Sequence, residues 1–260
     1  MGKFIVCLLK ELVGFLLFVL LAPLVYSFLY EAYLFLVSDV SFDSIFWFIC
    51  GLLSYLFLYV SIAWSSDRLL YTITFFEHLE HELGHSLVGF MFLRGTRRLI
   101  ANPLVSYKKL INDPPIEDEE TSQVAYLGRH ILGFPSGLAP YYFPVLTVPL
   151  LIAEPLAFFP LHEIIDFLIG FTLAFHFIGL LKEFRFWQPD IKDCGRIFSL
   201  WVTCLLNIIV LVIVLCVVSS NYSAILDYFQ NSIARVPEFY QTALQILMRL
   251  NDYKDQLLQQ

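Results

Sequence analysis

The segment His81-Glu82-Leu83-Gly84-His85 carries residue types, at a spacing, that can hold a metal ion and use it. On a helix, positions i and i+4 share a face, so His81 and His85 offer two nitrogens to one tetrahedral zinc. Glu82 then reaches a metal-bound water and serves as its general base. The motif lies inside the apolar run 69–93, where Glu77, His78, Glu80, His81, Glu82 and His85 occupy nine consecutive positions with three other residues. An ionisable group at the centre of a membrane helix costs on the order of 2–3 kcal/mol, so this density points to a site. The chemistry it points to is hydrolysis at membrane depth.

On a wheel of about 100° per residue with Glu77 at zero, His81, His85, His78 and Glu82 fall between about 40° and 140°. Leu79, Leu83, Leu87 and Phe90 fall between roughly 200° and 280°, the sector that meets lipid or other helices. Gly84 and Gly89 sit beside the polar sector, where a missing side chain admits another backbone. A catalytic zinc takes three protein ligands and keeps a fourth position open. The candidates for the third are Asp190, which follows Pro189, Asp193 one turn later, and His176 in a later apolar run. His176 reads equally as a buried hydrogen-bonded group behind the ligands. Asn207 is placed to bond substrate backbone or a neighbouring helix.

These residues need a scaffold, and the composition names it. With 58% hydrophobic and 15% charged residues and a mean hydropathy of +0.72, the chain is too apolar for an ordinary soluble domain. It reads as an all-α polytopic membrane protein in the lipid bilayer. Spans need about 20 apolar residues, and six runs qualify: 12–37, 45–63, 69–93, 131–153, 164–181 and 197–218. The third, carrying the motif, belongs in the bundle core. Pro23 interrupts the first run and Pro135, Pro140, Pro144 and Pro149 the fourth, so both are expected to kink, split or re-enter. Residues 219–260 alternate apolar and charged positions at helical spacing, which predicts an amphipathic helix on the bilayer or against a membrane partner. The division expected is an N-terminal transmembrane hairpin (1–68), a metalloprotease-like core (69–218) and the amphipathic tail (219–260).

Charge and cysteine usage narrow the rest. The net charge of −7 owes much to the acidic stretch 113–120, which reads as a solvated loop and gives no support for nucleic-acid binding. Five scattered cysteines look like apolar fillers rather than a disulfide framework. The first apolar run lacks a small-x-small cleavage site and is expected to stay as a span. Arg94, Arg97, Arg98, Lys108, Lys109 and Arg129 follow the third span, and Lys182, Arg185, Lys192 and Arg196 follow the fifth. The positive-inside rule puts both segments in the cytoplasm, with Lys3 and Lys10 voting the other way. The expected location is a cell inner membrane with the site open to the cytoplasm.

Taken together, the His81-Glu82-x-x-His85 motif in an apolar helix, the segment Gly-Phe-Pro-Ser-Gly-Leu-Ala-Pro-Tyr-Tyr-Phe-Pro at 133–144 and Gln-Pro-Asp-Ile-Lys-Asp-Cys-Gly at 188–195 resemble the site-2 protease family of intramembrane zinc metalloproteases. The resemblance covers about residues 69–218. It implies cleavage of peptide bonds in membrane-protein substrates, with Glu82 as base and zinc-bound water as nucleophile. Better-known members carry Asn-Pro and Leu-Asp-Gly around their aspartate, whereas this chain has Gln-Pro-Asp190 and Asp193-Cys-Gly195. On the resemblance the third ligand falls to one of these two aspartates, Asp190 being preferred and Asp193 close behind.

Three other classes compete. A di-iron membrane oxidase needs more histidines than the six present. A prenyl-protein-type zinc protease would take a Glu ligand from a later helix, and Glu163 and Glu183 flank the fifth span. A non-catalytic metal-binding scaffold or transporter component would not need Glu82.

Overall fold

The computed structural model describes residues 2–91, 134–158 and 161–258, and among these there is no strand. Three long helices come first: α1 (Gly2–Ser38), α2 (Phe46–Ser65) and α3 (Asp67–Met91). A single residue separates α2 from α3. Ser66 is extended, and its hydroxyl accepts the Leu69 N–H at 3.4 Å, so one cap both ends and restarts the helix. After residue 133 come α4 (Phe134–Leu138) with a 3₁₀ turn (Ala139–Tyr141), then α5 (Thr147–Ala153) with a second 3₁₀ turn (Glu154–Leu156). The chain ends with α6 (Leu161–Glu183), short α7 (Pro189–Cys194), α8 (Arg196–Val218) and α9 (Ser223–Leu258). Gly195 separates α7 from α8 at φ +94°, a conformation that glycine adopts without strain.

Four of these helices are long and apolar enough to cross a membrane: Leu21–Ser38 within α1, then α2, α6 and α8. The described part of the molecule is thus that of a helical membrane protein, with fewer such helices than the six runs counted in sequence. The two shortfalls have separate causes. The charged groups of the motif lower the hydropathy of α3, although its 25 residues are long enough to span. The run 131–153 breaks into short helices and turns because Pro140 and Pro144 cannot donate a backbone hydrogen bond. Pro23, by contrast, lies inside α1 without ending it.

The tightest helix crossing joins α2 to α6. A Cβ at Gly51 would lie 1.9 Å from the Phe167 carbonyl oxygen, and one at Gly170 would lie 2.0 Å from that of Phe48. The two glycines let the backbones touch, as small residues do at membrane helix interfaces. Tyr55 extends the contact with edge-on rings against Phe171 and Phe175 at 5.1 and 5.6 Å. α1 instead lies along α8 and α9. The two N-terminal helices therefore make their main contacts with later parts of the chain rather than with each other.

The tail finds a partner within the chain. The Tyr228 hydroxyl donates to the Phe28 carbonyl at 3.1 Å, and the Arg235 guanidinium meets the Glu31 carboxylate at 2.5 Å. Arg235 also stacks over the Tyr30 ring at 4.4 Å. The outer side of α9 leaves Leu226, Ile233, Leu244 and Met248 more than half exposed. Where α8 turns into α9, the Tyr222 hydroxyl donates to Glu154 at 2.5 Å, tying this turn to the end of the proline-rich segment. Burial, together with that hydrogen bond, pushes the Tyr222 phenol up to about 12, so it remains a donor at neutral pH.

The glycine crossing gives a direct test of this packing. Gly51→Ala or Gly170→Ala should each lower unfolding stability by about 1–3 kcal/mol or more, since the neighbour is backbone and cannot rotate away. Detergent-induced unfolding of the purified protein measures it. A wild-type midpoint in both variants would show that the helices do not cross there.

Candidate functional site: a histidine–aspartate cluster

The motif helix α3 is held in place by the proline-rich segment. A Cβ at Gly84 would lie 3.3 Å from both the Cα and the nitrogen of Pro140, so the turn at 139–141 rests directly on the α3 backbone. The expected role of Gly84 as a point of close approach is realised there. Gly89 is also buried on this helix. The polar face of α3 is thereby turned toward α6 and α7.

At that junction His81, His85 and Asp190 come together, each offering one ligand atom within 4.8 Å of the others. His85 Nε2 lies 3.5 Å from Asp190 Oδ2. Tetrahedral ligands about 2.0–2.1 Å from zinc would be about 3.3 Å apart, so this edge is close to the spacing a metal needs. Two imidazoles and one carboxylate are also a donor set suited to zinc. His85 is 8% exposed, His81 14% and Asp190 22%, a sheltered but not sealed position. The three residues ranked first as ligands in sequence are thus neighbours in space, from α3 and α7. Glu82 follows His81 on the same helix and is partly exposed.

Glu183, at the end of α6, supports the cluster from behind. Its Oε2 lies 2.5 Å from His81 Nδ1, and its Oε1 lies 2.9 Å from His78 Nδ1. The His81 contact is a close approach without the alignment of a hydrogen bond. With Nδ1 facing a carboxylate, the ring presents Nε2 outward, the arrangement by which outer carboxylates orient metal-binding histidines. Glu183 entered the sequence reading only as a flanking acid for a different protease class. Its sequence distance from the motif hides this contact.

Tyr141 was not singled out either, although it lies in the proline-rich run. It is fully buried, its ring meets His81 edge-on at 5.5 Å and Phe184 at 5.4 Å, and its hydroxyl bonds Gln188 Oε1 at 2.6 Å. Asn207 donates its amide to the Tyr141 carbonyl at 2.7 Å and to the Thr203 carbonyl at 2.8 Å. In this structure the amide nitrogen of Asn207 thus joins α8 to the turn that covers the histidines. Its Oδ1 is buried and has no hydrogen-bond partner.

His176 stands apart from the cluster. It is buried against Glu80, with Nδ1 3.6 Å from Oε1, on the side of α3 that faces α6. Asp193 belongs to α7, but its side chain lies outside the described residues, as do the basic segment 94–129 and the acidic stretch 113–120. No protein-family model, curated protein or solved structure matches the chain.

Metal affinity should follow this geometry. Asp190→Ala, which removes a ligand, should lower zinc affinity the most. Glu183→Gln should lower it about 10–100-fold, as loss of an outer-shell carboxylate does. His176→Gln should lower it least of the three, since His176 stands outside the cluster. Chelator competition on the purified variants ranks them, and a loss confined to His176→Gln would refute the assignment.

Proposed function

We propose that this protein is an intramembrane zinc metalloprotease of the site-2 protease kind, cleaving peptide bonds in membrane-spanning substrates. The observation that carries the reading is the meeting of His81, His85 and Asp190 beside Glu82 in a helical membrane protein. Bound zinc would supply a Lewis acid and lower the pKa of a coordinated water toward 7. His81 and His85 would hold the metal from α3 and Asp190 from α7. Glu82 would take the proton from the attacking water and return it to the leaving amine. Glu183 would keep the His81 ring in its ligating orientation, and Tyr141 would shield that ring from one side.

The fit of the residues to this chemistry extends to the covering segment. The turns between 134 and 158 place irregular backbone beside the cluster, which is tolerated at membrane depth only against protein or a wet cavity. An unwound substrate strand could pair with such backbone. On this reading α3 is a fifth crossing, the 134–158 segment a broken sixth, and the site opens toward the cytoplasm of a cell whose inner membrane holds the protein.

One observation favours a second reading. Glu183 lies as close to His81 as a ligand-bearing acid from a later helix would, which is the pattern expected of a prenyl-protein-type zinc protease. Its carboxylate is shared with His78, and Asp190 is the acid that groups with both motif histidines, so the first reading is preferred. A metal-binding scaffold would need the histidines and Asp190 but not Glu82.

Glu82→Gln separates enzyme from scaffold. The variant should keep its zinc and its thermal stability, while release of a shortened membrane substrate falls by at least ~10²-fold, the lower end of general-base contributions. Turnover equal to wild type would eliminate Glu82 as the base.

A further inference from the structure

The side of α3 that faces α2 and α6 carries a second set of buried polar groups, separate from the metal cluster. Tyr55 of α2, Glu77 and Glu80 of α3 and His176 of α6 are 2%, 3%, 7% and 2% exposed. All four lie where α2, α3 and α6 meet. His176 faces Glu80 at 3.6 Å, beyond hydrogen-bond reach. Gly179 opens toward Glu77, whose Cγ would lie 3.8 Å from a Cβ built there. The Tyr55 hydroxyl lies within the electrostatic reach of both carboxylates.

The ion pairs at this junction leave several of its polar atoms without a partner. Lys182 holds Oε2 of Glu77 and lies over the Tyr59 ring at 5.5 Å. Four buried atoms, the Tyr55 hydroxyl, Glu77 Oε1, Glu80 Oε1 and His176 Nε2, have no hydrogen-bond partner in the protein. Buried polar groups are bonded to protein or to ordered water in the great majority of cases, so four orphans in one place call for a ligand.

The chemistry of the four atoms selects it. Carboxylate oxygens only accept, a phenol donates, and an imidazole nitrogen does either according to its tautomer. A metal cation would take the carboxylates and the imidazole, but among the described residues only His81, His85 and Asp190 bring three such ligand atoms together, and Lys182 would repel a cation beside Glu77. A lipid chain would satisfy none of them. Water donates to the carboxylates, accepts from the phenol and takes either role at His176 Nε2. We propose that the pocket between α2, α3 and α6 binds a cluster of ordered water molecules bridging Tyr55, Glu77, Glu80 and His176. Such water makes the burial of these groups tolerable and braces the back of the motif helix. The site is independent of whatever reaction the metal cluster performs.

X-ray radiolytic labelling of the intact wild-type protein tests this, because hydroxyl radicals formed from bound water oxidise the side chains beside it. Tyr55 and His176 should be labelled several-fold faster than Phe48, which is equally buried at 3% exposure but lies in the close-packed glycine crossing. After brief mixing into heavy-oxygen water, the two residues should still incorporate oxygen from the original water. Labelling no faster than Phe48 would overturn the proposal. So would immediate and complete incorporation of the new oxygen, which would show leakage of bulk solvent rather than a held cluster.

Discussion

The cost of burying ionisable side chains in an apolar bundle shapes this molecule. Six such groups fall on little more than two turns of α3, and a helix packed among apolar helices cannot carry them unless other elements answer them. The answers come from one direction. Lys182 meets Glu77, His176 faces Glu80, Glu183 meets both His78 and His81, and Asp190 meets His85. All four partners come from α6 and the short helix after it. Removing one partner of a buried pair strands the other, which typically costs several kcal/mol. The position of α6 against α3 is therefore as constrained as the motif itself.

That requirement explains two features that have no value in isolation. The glycine crossing of α2 and α6 brings their backbones together. It thereby also places Tyr55 against Phe175, next to His176. Asp190 meets the motif because the chain restarts as α7 before the Gly195 bend rather than running straight into α8. The proline-rich segment completes the arrangement. Its turn rests on Gly84, fills the space beside His81 with Tyr141, and is fixed to α8 by the Asn207 amide.

The sequence reading reached the motif, its third candidate ligand and the all-helical membrane class because each is a local signal. Helical spacing alone puts His81 and His85 on one face, and Pro189 alone marks the start of the element bearing Asp190. The number of spans was less legible, since the ionisable residues of α3 and the prolines of the run 131–153 both interrupt a hydropathy pattern. Contacts between distant segments left no trace in spacing. Glu183 behind His81, Tyr141 over it, and the α1–α9 pairing through Glu31 and Arg235 all depend on where helices cross. The amphipathic pattern of the tail announced that one face needed a partner, but not that α1 would supply it.

The claim on which the account rests is that His81, His85 and Asp190 bind one zinc ion. Zinc-edge X-ray absorption on the purified wild-type protein measures it most directly. The predicted spectrum has two imidazole nitrogens at about 2.0–2.1 Å, one carboxylate oxygen at about 2.0–2.2 Å and no sulfur. A sulfur shell at about 2.3 Å, as Cys194 on α7 would give, or a protein that binds no zinc at all, would contradict it.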